Sequence, residues 1–158
     1  MEILNEAEEE YSSSDGIGLS TVKALLDRGA SIAVCGVNEK NLADLLRSFL
    51  WGVKSKHQDY SFQRLDVVDR TQVKAFLHAT KTRFGGVDGI TNIAGVIGKY
   101  FGLKTFWQRA PEEFDFVMNV NVRGAFNFVA EAMTPGSLEG GSRNIRLNAV
   151  LPWIPLLG

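Results

Sequence analysis

Asp88-Gly89-Ile90-Thr91-Asn92-Ile93-Ala94-Gly95 is the stretch on which the reading of this chain turns. After the breaker pair Gly85-Gly86, Val87 to Thr91 supply a strand candidate. The strand ends on a polar residue, Asn92, and then on the small residues Ala94 and Gly95. Upstream, Asp69 is placed to cap a helix whose inward positions include Val73, Phe76 and Leu77. Before that helix, Tyr60 to Leu65 alternate like a strand and end at Asp66. Further back, Ala30 to Cys35 form a second apolar strand candidate, and Gly29 stops a helix carrying Leu19, Val22, Leu25 and Leu26. Asn38 offers an N-cap to another helix with Leu42, Leu45, Leu46, Phe49 and Leu50 on one face.

Downstream, Pro111 suits the first turn of the longest helix. Phe114, Val117, Met118, Val122, Phe126 and Val129 supply its apolar positions. Ile145, Leu147 and Ala149 alternate once more before Pro152. Helices separated by buried-looking strands imply βα units on a mainly parallel sheet, and right-handed crossovers place helices on both faces. Ligands of such sheets bind beyond the carboxyl ends of the strands, here near Gly36, Asp66 and Asn92.

Composition narrows the function classes. The chain has 158 residues, enough for one domain with one core. Lys and Arg number 17 against 18 Asp and Glu, so no basic footprint points to nucleic acid or to an anionic membrane. No apolar run approaches the roughly 20 residues that span a bilayer. The one cysteine, Cys35, lies in a strand candidate and reads as a small buried hydrophobe. No metal-ligand cluster stands out. The opening residues lack the positive start and apolar stretch of a secretory leader. A cytoplasmic location is expected. Residues 1–15 carry the carboxylates Glu6, Glu8, Glu9 and Glu10 and read as an acidic, flexible segment.

Five short motifs stand in a fixed order between Gly16 and Pro152, and together they resemble the short-chain dehydrogenase/reductase family. Gly16-Ile17-Gly18 looks like the end of its nucleotide-loop motif, and Leu65-Asp66-Val67 like its adenine-side aspartate. Asn92-Ile93-Ala94-Gly95 is similar to its Asn-x-Ala-Gly strand end. Asn119-Val120-Asn121-Val122-Arg123-Gly124-Ala125-Phe126 resembles its Asn-x-x-Gly-x-Phe helix, and Ile145 to Pro152 the strand before its substrate loop. The resemblance implies a Rossmann-like three-layer α/β sandwich over residues 16–158 and NAD or NADP as cofactor. It also implies roles. Gly16, Ile17 and Gly18 would lie at the pyrophosphate, Asp66 and Val67 at the adenine, and Asn92, Ala94 and Gly95 along the ribose and nicotinamide. Asn121 would take the place of a catalytic residue that holds a water in a proton relay; its other reading is a structural bridge.

Three departures from the family pattern shape the functional expectation. Aligned through Gly16 and Gly18, the family's Thr and first Gly fall on Tyr11 and Ser12, behind a glutamate run rather than an apolar strand. The first strand is therefore expected to be missing, leaving two separated halves. After Phe128 the sequence contains no tyrosine and no lysine, so the family's Ser and Tyr-x-x-x-Lys are absent together with the fifth strand and its helix. Trp153 follows Pro152 where the family has Gly. Gly36-Val37-Asn38 carries no charge that would choose between NAD and NADP. The expected protein is thus a family member that is inactive as written, with an unidentified small-molecule substrate, at most a weak homo-oligomer, and marginally stable. The alternatives are a non-catalytic nucleotide-binding or interaction module, or the product of an incomplete gene model.

Overall fold

The computed structural model describes residues 2–6, 17–50, 59–99, 103–138 and 145–149. Among these, β1 (Glu2–Glu6), β2 (Ile32–Gly36), β3 (Tyr60–Arg64), β4 (Gly89–Asn92) and β5 (Arg146–Ala149) run parallel in a sheet of spatial order β3-β2-β1-β4-β5. The helices are α1 (Ile17–Leu26), α2 (Glu39–Leu50), α3 (Arg70–Phe84), α4 (Pro111–Met118) and α5 (Gly124–Met133). A π turn over Asn119–Arg123 joins α4 to α5. This is an α/β, Rossmann-like arrangement, as the βα rhythm of the sequence implies.

The layers follow from strand alternation. Successive residues of a strand point to opposite faces, and all five residues of β2 are buried. Ile32 and Val34 join Val22 of α1 and Leu42 and Leu45 of α2 in one apolar cluster. Ala33 and Cys35 face the other way, into a cluster with Val73, Phe76 and Leu77 of α3, Val120 and Phe128. A strand covered on both faces is apolar throughout, which is why Ile32 to Cys35 read as a continuous run rather than an alternation.

Local chemistry sets the helix ends. Asn38 Oδ1 accepts from the backbone N–H of Lys40 at 2.9 Å and of Asn41 at 3.3 Å, capping α2. Asp69 Oδ1 accepts from the N–H of Thr71 at 2.9 Å and of Gln72 at 3.2 Å, capping α3. The Gln72 side-chain amide, which donates to Asp69 Oδ2 at 2.9 Å, and then these backbone bonds hold the Asp69 carboxyl below its ordinary range. Gly85 ends α3 at φ 73°, a left-handed conformation that costs glycine little.

The expectation of a missing first strand is corrected. Glu2–Glu6 pairs with β2 from Glu2↔Ile32 to Glu6↔Gly36 and with β4 from Glu2↔Gly89 to Asn5↔Asn92. The central position is filled and the two halves are joined. Residues 2–6 of the supposed flexible segment are therefore a strand, while residues 7–15 lie outside the described residues. The sequence concealed this because Ile3 and Leu4 are a short apolar pair among polar neighbours. In the middle of a sheet the backbone ladders on both sides supply pairing that side-chain pattern does not reveal.

The fifth position is also occupied. β5, whose sequence resembles the strand before the family's substrate loop, pairs directly with β4 from Gly89↔Arg146 to Asn92↔Ala149. Only residues 134–145 separate α5 from β5. An open β4 edge is a row of unpaired donors and acceptors, and the next strand in the chain takes it.

The long helix is corrected in its facing. Val117 packs against the core, but Phe114, Met118, Val122, Phe126 and Val129 are exposed. The inward positions are Val120, Gly124, Asn127, Phe128 and Glu131. A segment apolar nearly all round does not announce which face is covered.

Gly124 shows how closely this helix approaches the sheet. A Cβ built there would lie 2.5 Å from Val67 Cγ2 and 3.0 Å from Val67 Cβ. Alanine favours a helix over glycine by about 1 kcal/mol, whereas overpacking costs about 1–3 kcal/mol. Gly124→Ala should therefore lower the melting temperature in the native background and become neutral or stabilising when Val67 is also changed to Ala. A single variant melting at or above the unsubstituted chain would show that α5 stands farther from Val67.

Candidate functional site

Parallel pairing brings the carboxyl ends of the strands into one row. Arg64 is registered with Gly36, Gly36 with Glu6, Asn5 with Asn92, and Asn92 with Ala149. From β3 to β4 is three inter-strand steps of about 4.8 Å each. The order reverses at β1, whose neighbours are β2 on one side and β4 on the other. That is the topological switch point at which open α/β sheets bind ligands. Residues 7–16, including Gly16, join the carboxyl end of β1 to α1 and lie outside the described residues.

The other expected residues fall on three sides of this crevice. Ile17 is exposed and Gly18 buried in the first turn of α1. Asp66 is exposed just beyond β3, and its Oδ1 accepts from the Val68 N–H at 2.9 Å, which fixes the carboxylate's orientation. Val67 is buried, with its side chain against Gly124. Asn92 and Ala94 are buried at and beyond the end of β4, leaving Gly95 partly exposed between them and Val96.

Asn121 does one thing visibly. Its Oδ1 accepts from the Val96 N–H at 2.8 Å and its Nδ2 donates to the Val96 carbonyl at 2.9 Å. The side chain thus pins the loop that follows Asn92-Ile93-Ala94-Gly95, as the bridge reading expects. The π turn makes this possible: Gly124 N–H reaches back to the Asn119 carbonyl, and the widened turn carries both Val120 and Asn121 inward.

Two further side chains hold the opposite wall, and sequence reasoning missed them. Asn127 is 4% exposed and its Nδ2 donates to the carbonyls of Val67 at 2.9 Å and Val68 at 3.1 Å. Glu131, also buried, accepts from Arg70 Nε at 2.5 Å. The available signal was helical spacing: Gly124, Asn127 and Glu131 recur at intervals of three and four on one face. A small residue and two polar ones on a covered face mark a close, bonded approach rather than simple packing. One helix therefore fixes the loop beyond β4 through Asn121 and the loop beyond β3 through Asn127.

The crossover order and the switch point define the class as a Rossmann-like α/β fold. Residues 12–145 match the short chain dehydrogenase family, to which this chain belongs. It is 32% identical over 129 residues to the short-chain dehydrogenase/reductase ABA4 of Pyricularia oryzae, covering 82% of this chain and 46% of that one. Levodione reductase of Leifsonia aquatica is 32% identical over 111 residues, 70% of this chain and 40% of that one. Among solved structures, levodione reductase superposes with a TM-score of 0.68 at 27% identity, covering 82% of this chain and 47% of that one. A variant of actinorhodin polyketide ketoreductase with NADPH gives a TM-score of 0.71 at 25% identity, covering 92% and 52%. The chain spans about half the length of these relatives.

Two substitutions test the pinned loops. Removing a net-favourable hydrogen bond costs about 0.5–1.5 kcal/mol, and about 1.4 kcal/mol is a tenfold change in an equilibrium. In Asn121→Ala the Val96 amide should exchange with solvent about tenfold faster; an unchanged rate would remove the Asn121 bridge. Asn127→Leu strands two carbonyls in a buried place and should cost about 1–3 kcal/mol by denaturant unfolding. A loss within 0.3 kcal/mol or so would show that those carbonyls find water instead.

Proposed function

We propose that this chain is the nucleotide-binding part of an NAD(P)-dependent oxidoreductase, binding the adenine half of the cofactor while lacking the groups that complete hydride transfer. The observation that carries the first half is the row of strand ends, with Asp66 held beyond β3 and the Asn92-to-Gly95 loop held beyond β4. The adenine side fits the group: the Asp66 carboxylate is exposed and oriented by Val68 N–H, so one of its oxygens can accept from an adenine amino group. Val67 is locked behind it by Gly124 and Asn127. Bound NAD(P) would supply a nicotinamide ring that accepts or donates hydride. The chain's own residues would orient it and exclude water from its walls.

The second half rests on the sequence between α5 and β5. Residues 134–145 contain no tyrosine and no lysine, and β5 follows directly in the place beside β4. A proton donor or acceptor must lie within hydrogen-bond reach of the reacting oxygen. In this chain Tyr60 starts β3, at the opposite end of that strand from the crevice, and cannot serve. Among the described residues no cluster of His, Cys, Asp and Glu offers a metal site that would substitute. The same proposal places the protein in the cytoplasm; its support is a sequence with one cysteine, Cys35, which cannot form an internal disulfide.

The alternative of a binding or interaction module is separated by measurement. Calorimetric titration with 5′-AMP and with NAD(P)+ should show weak binding of both, with most of the affinity already present in the adenine nucleotide. Steady-state assays over a panel of carbonyl and alcohol substrates should show no hydride transfer above background. Turnover that scales with protein concentration would overturn the inactive reading, and absence of any adenine-nucleotide binding would overturn the nucleotide-binding one.

A further inference from the structure

The β2–α2 corner carries a charge that its own sequence lacks. Gly36-Val37-Asn38 holds no ionisable side chain, and the Asn38 carboxamide oxygen is engaged with the N–H groups of Lys40 and Asn41. The neighbouring strand supplies the missing group. Arg64, the last residue of β3, is registered against Gly36, and the Leu65 N–H donates to the Gly36 carbonyl at 2.9 Å. Its side chain reaches across, and Nε donates to the Val37 carbonyl at 3.1 Å. The guanidinium is exposed, and among the described residues it pairs with no carboxylate.

In dinucleotide folds the end of the second strand meets the adenine ribose. A carboxylate there accepts from the 2′-hydroxyl of NAD, while an arginine suits the 2′-phosphate of NADP. We infer that Arg64 makes this corner a 2′-phosphate site, so that the chain prefers NADP(H) to NAD(H). This rests on the nucleotide-binding reading above and adds to it the choice of cofactor. With Nε anchored on Val37, the rest of the planar fork presents N–H groups to solvent in a fixed direction. A phosphate can take two parallel hydrogen bonds from such a fork. Lys40 adds to the attraction, while Glu39 in the first turn of α2 and Asp66 just beyond β3 oppose it.

Titration of the full chain with adenosine 2′,5′-bisphosphate and with 5′-AMP, at one ionic strength, isolates the 2′-phosphate. The bisphosphate should bind about tenfold or more tightly, with the advantage shrinking as salt is raised. Arg64→Leu should bring the two affinities within about twofold without weakening 5′-AMP, and Arg64→Glu should reverse their order. Arg64→Lys should retain part of the preference, because it keeps the charge and loses the fork. If 5′-AMP binds and the bisphosphate is no tighter, or if Arg64→Leu leaves the ratio unchanged, the assignment is overturned while nucleotide binding stands. Binding of neither probe overturns both.

Discussion

A strand in the interior of a parallel sheet exchanges hydrogen bonds along both of its edges, and β1 is the strand on which this sheet is hinged. Its register with β2 brings Glu6 level with Gly36, and its register with β4 brings Asn5 level with Asn92. Those two relations place the crevice between the loops that follow β2 and β3 on one side and the loop that follows β4 on the other. Shift either register by one residue and every inward side chain of that strand turns to the opposite face. In β2 the same alternation sends Ile32 and Val34 to one cluster and Ala33 and Cys35 to the other. The core and the crevice are thus set by the same backbone pairing.

Much of this was legible in the residues. The inward positions Val73, Phe76 and Leu77, the caps Asn38 and Asp69, the stop at Gly29 and the burial of Cys35 all follow from spacing and turn chemistry, and all are present. These are local features, decided within one or two turns of chain. The central strand was not legible, because its identity resides in ladders to residues 30 and more than 80 positions away. Nor was the covered face of the long helix. Phe114, Phe116, Val117, Met118, Val120 and Val122 offer apolar groups in every direction, and the π turn then changes which of them point inward.

The site divides in the same way. Asp66 and the Asn92-to-Gly95 segment could be located because each sits at the end of a strand that the sequence displays. The groups that hold them could not. Asn127 serves a loop in another βα unit, Asn121 bridges to Val96, and Arg64 answers a corner belonging to the neighbouring strand. A reading confined to Gly36-Val37-Asn38 finds no charge there, since the charge arrives laterally, through strand pairing. The Arg64 contact with Val37 belongs to two adjacent strand ends rather than to one.

The span of the Asn127 and Glu131 contacts bears on the order in which the molecule can be assembled. Asn127 closes on carbonyls 60 and 59 residues upstream, and Glu131 on an arginine 61 residues upstream. Loops of that length are costly to close before other contacts hold the ends together, and long-range closures slow folding. During synthesis, β2, β3 and α3 can all be present before the helix that locks their loops has emerged. The wall beside Asp66 therefore gains these contacts only once the helix has been made, although its own residues are made early.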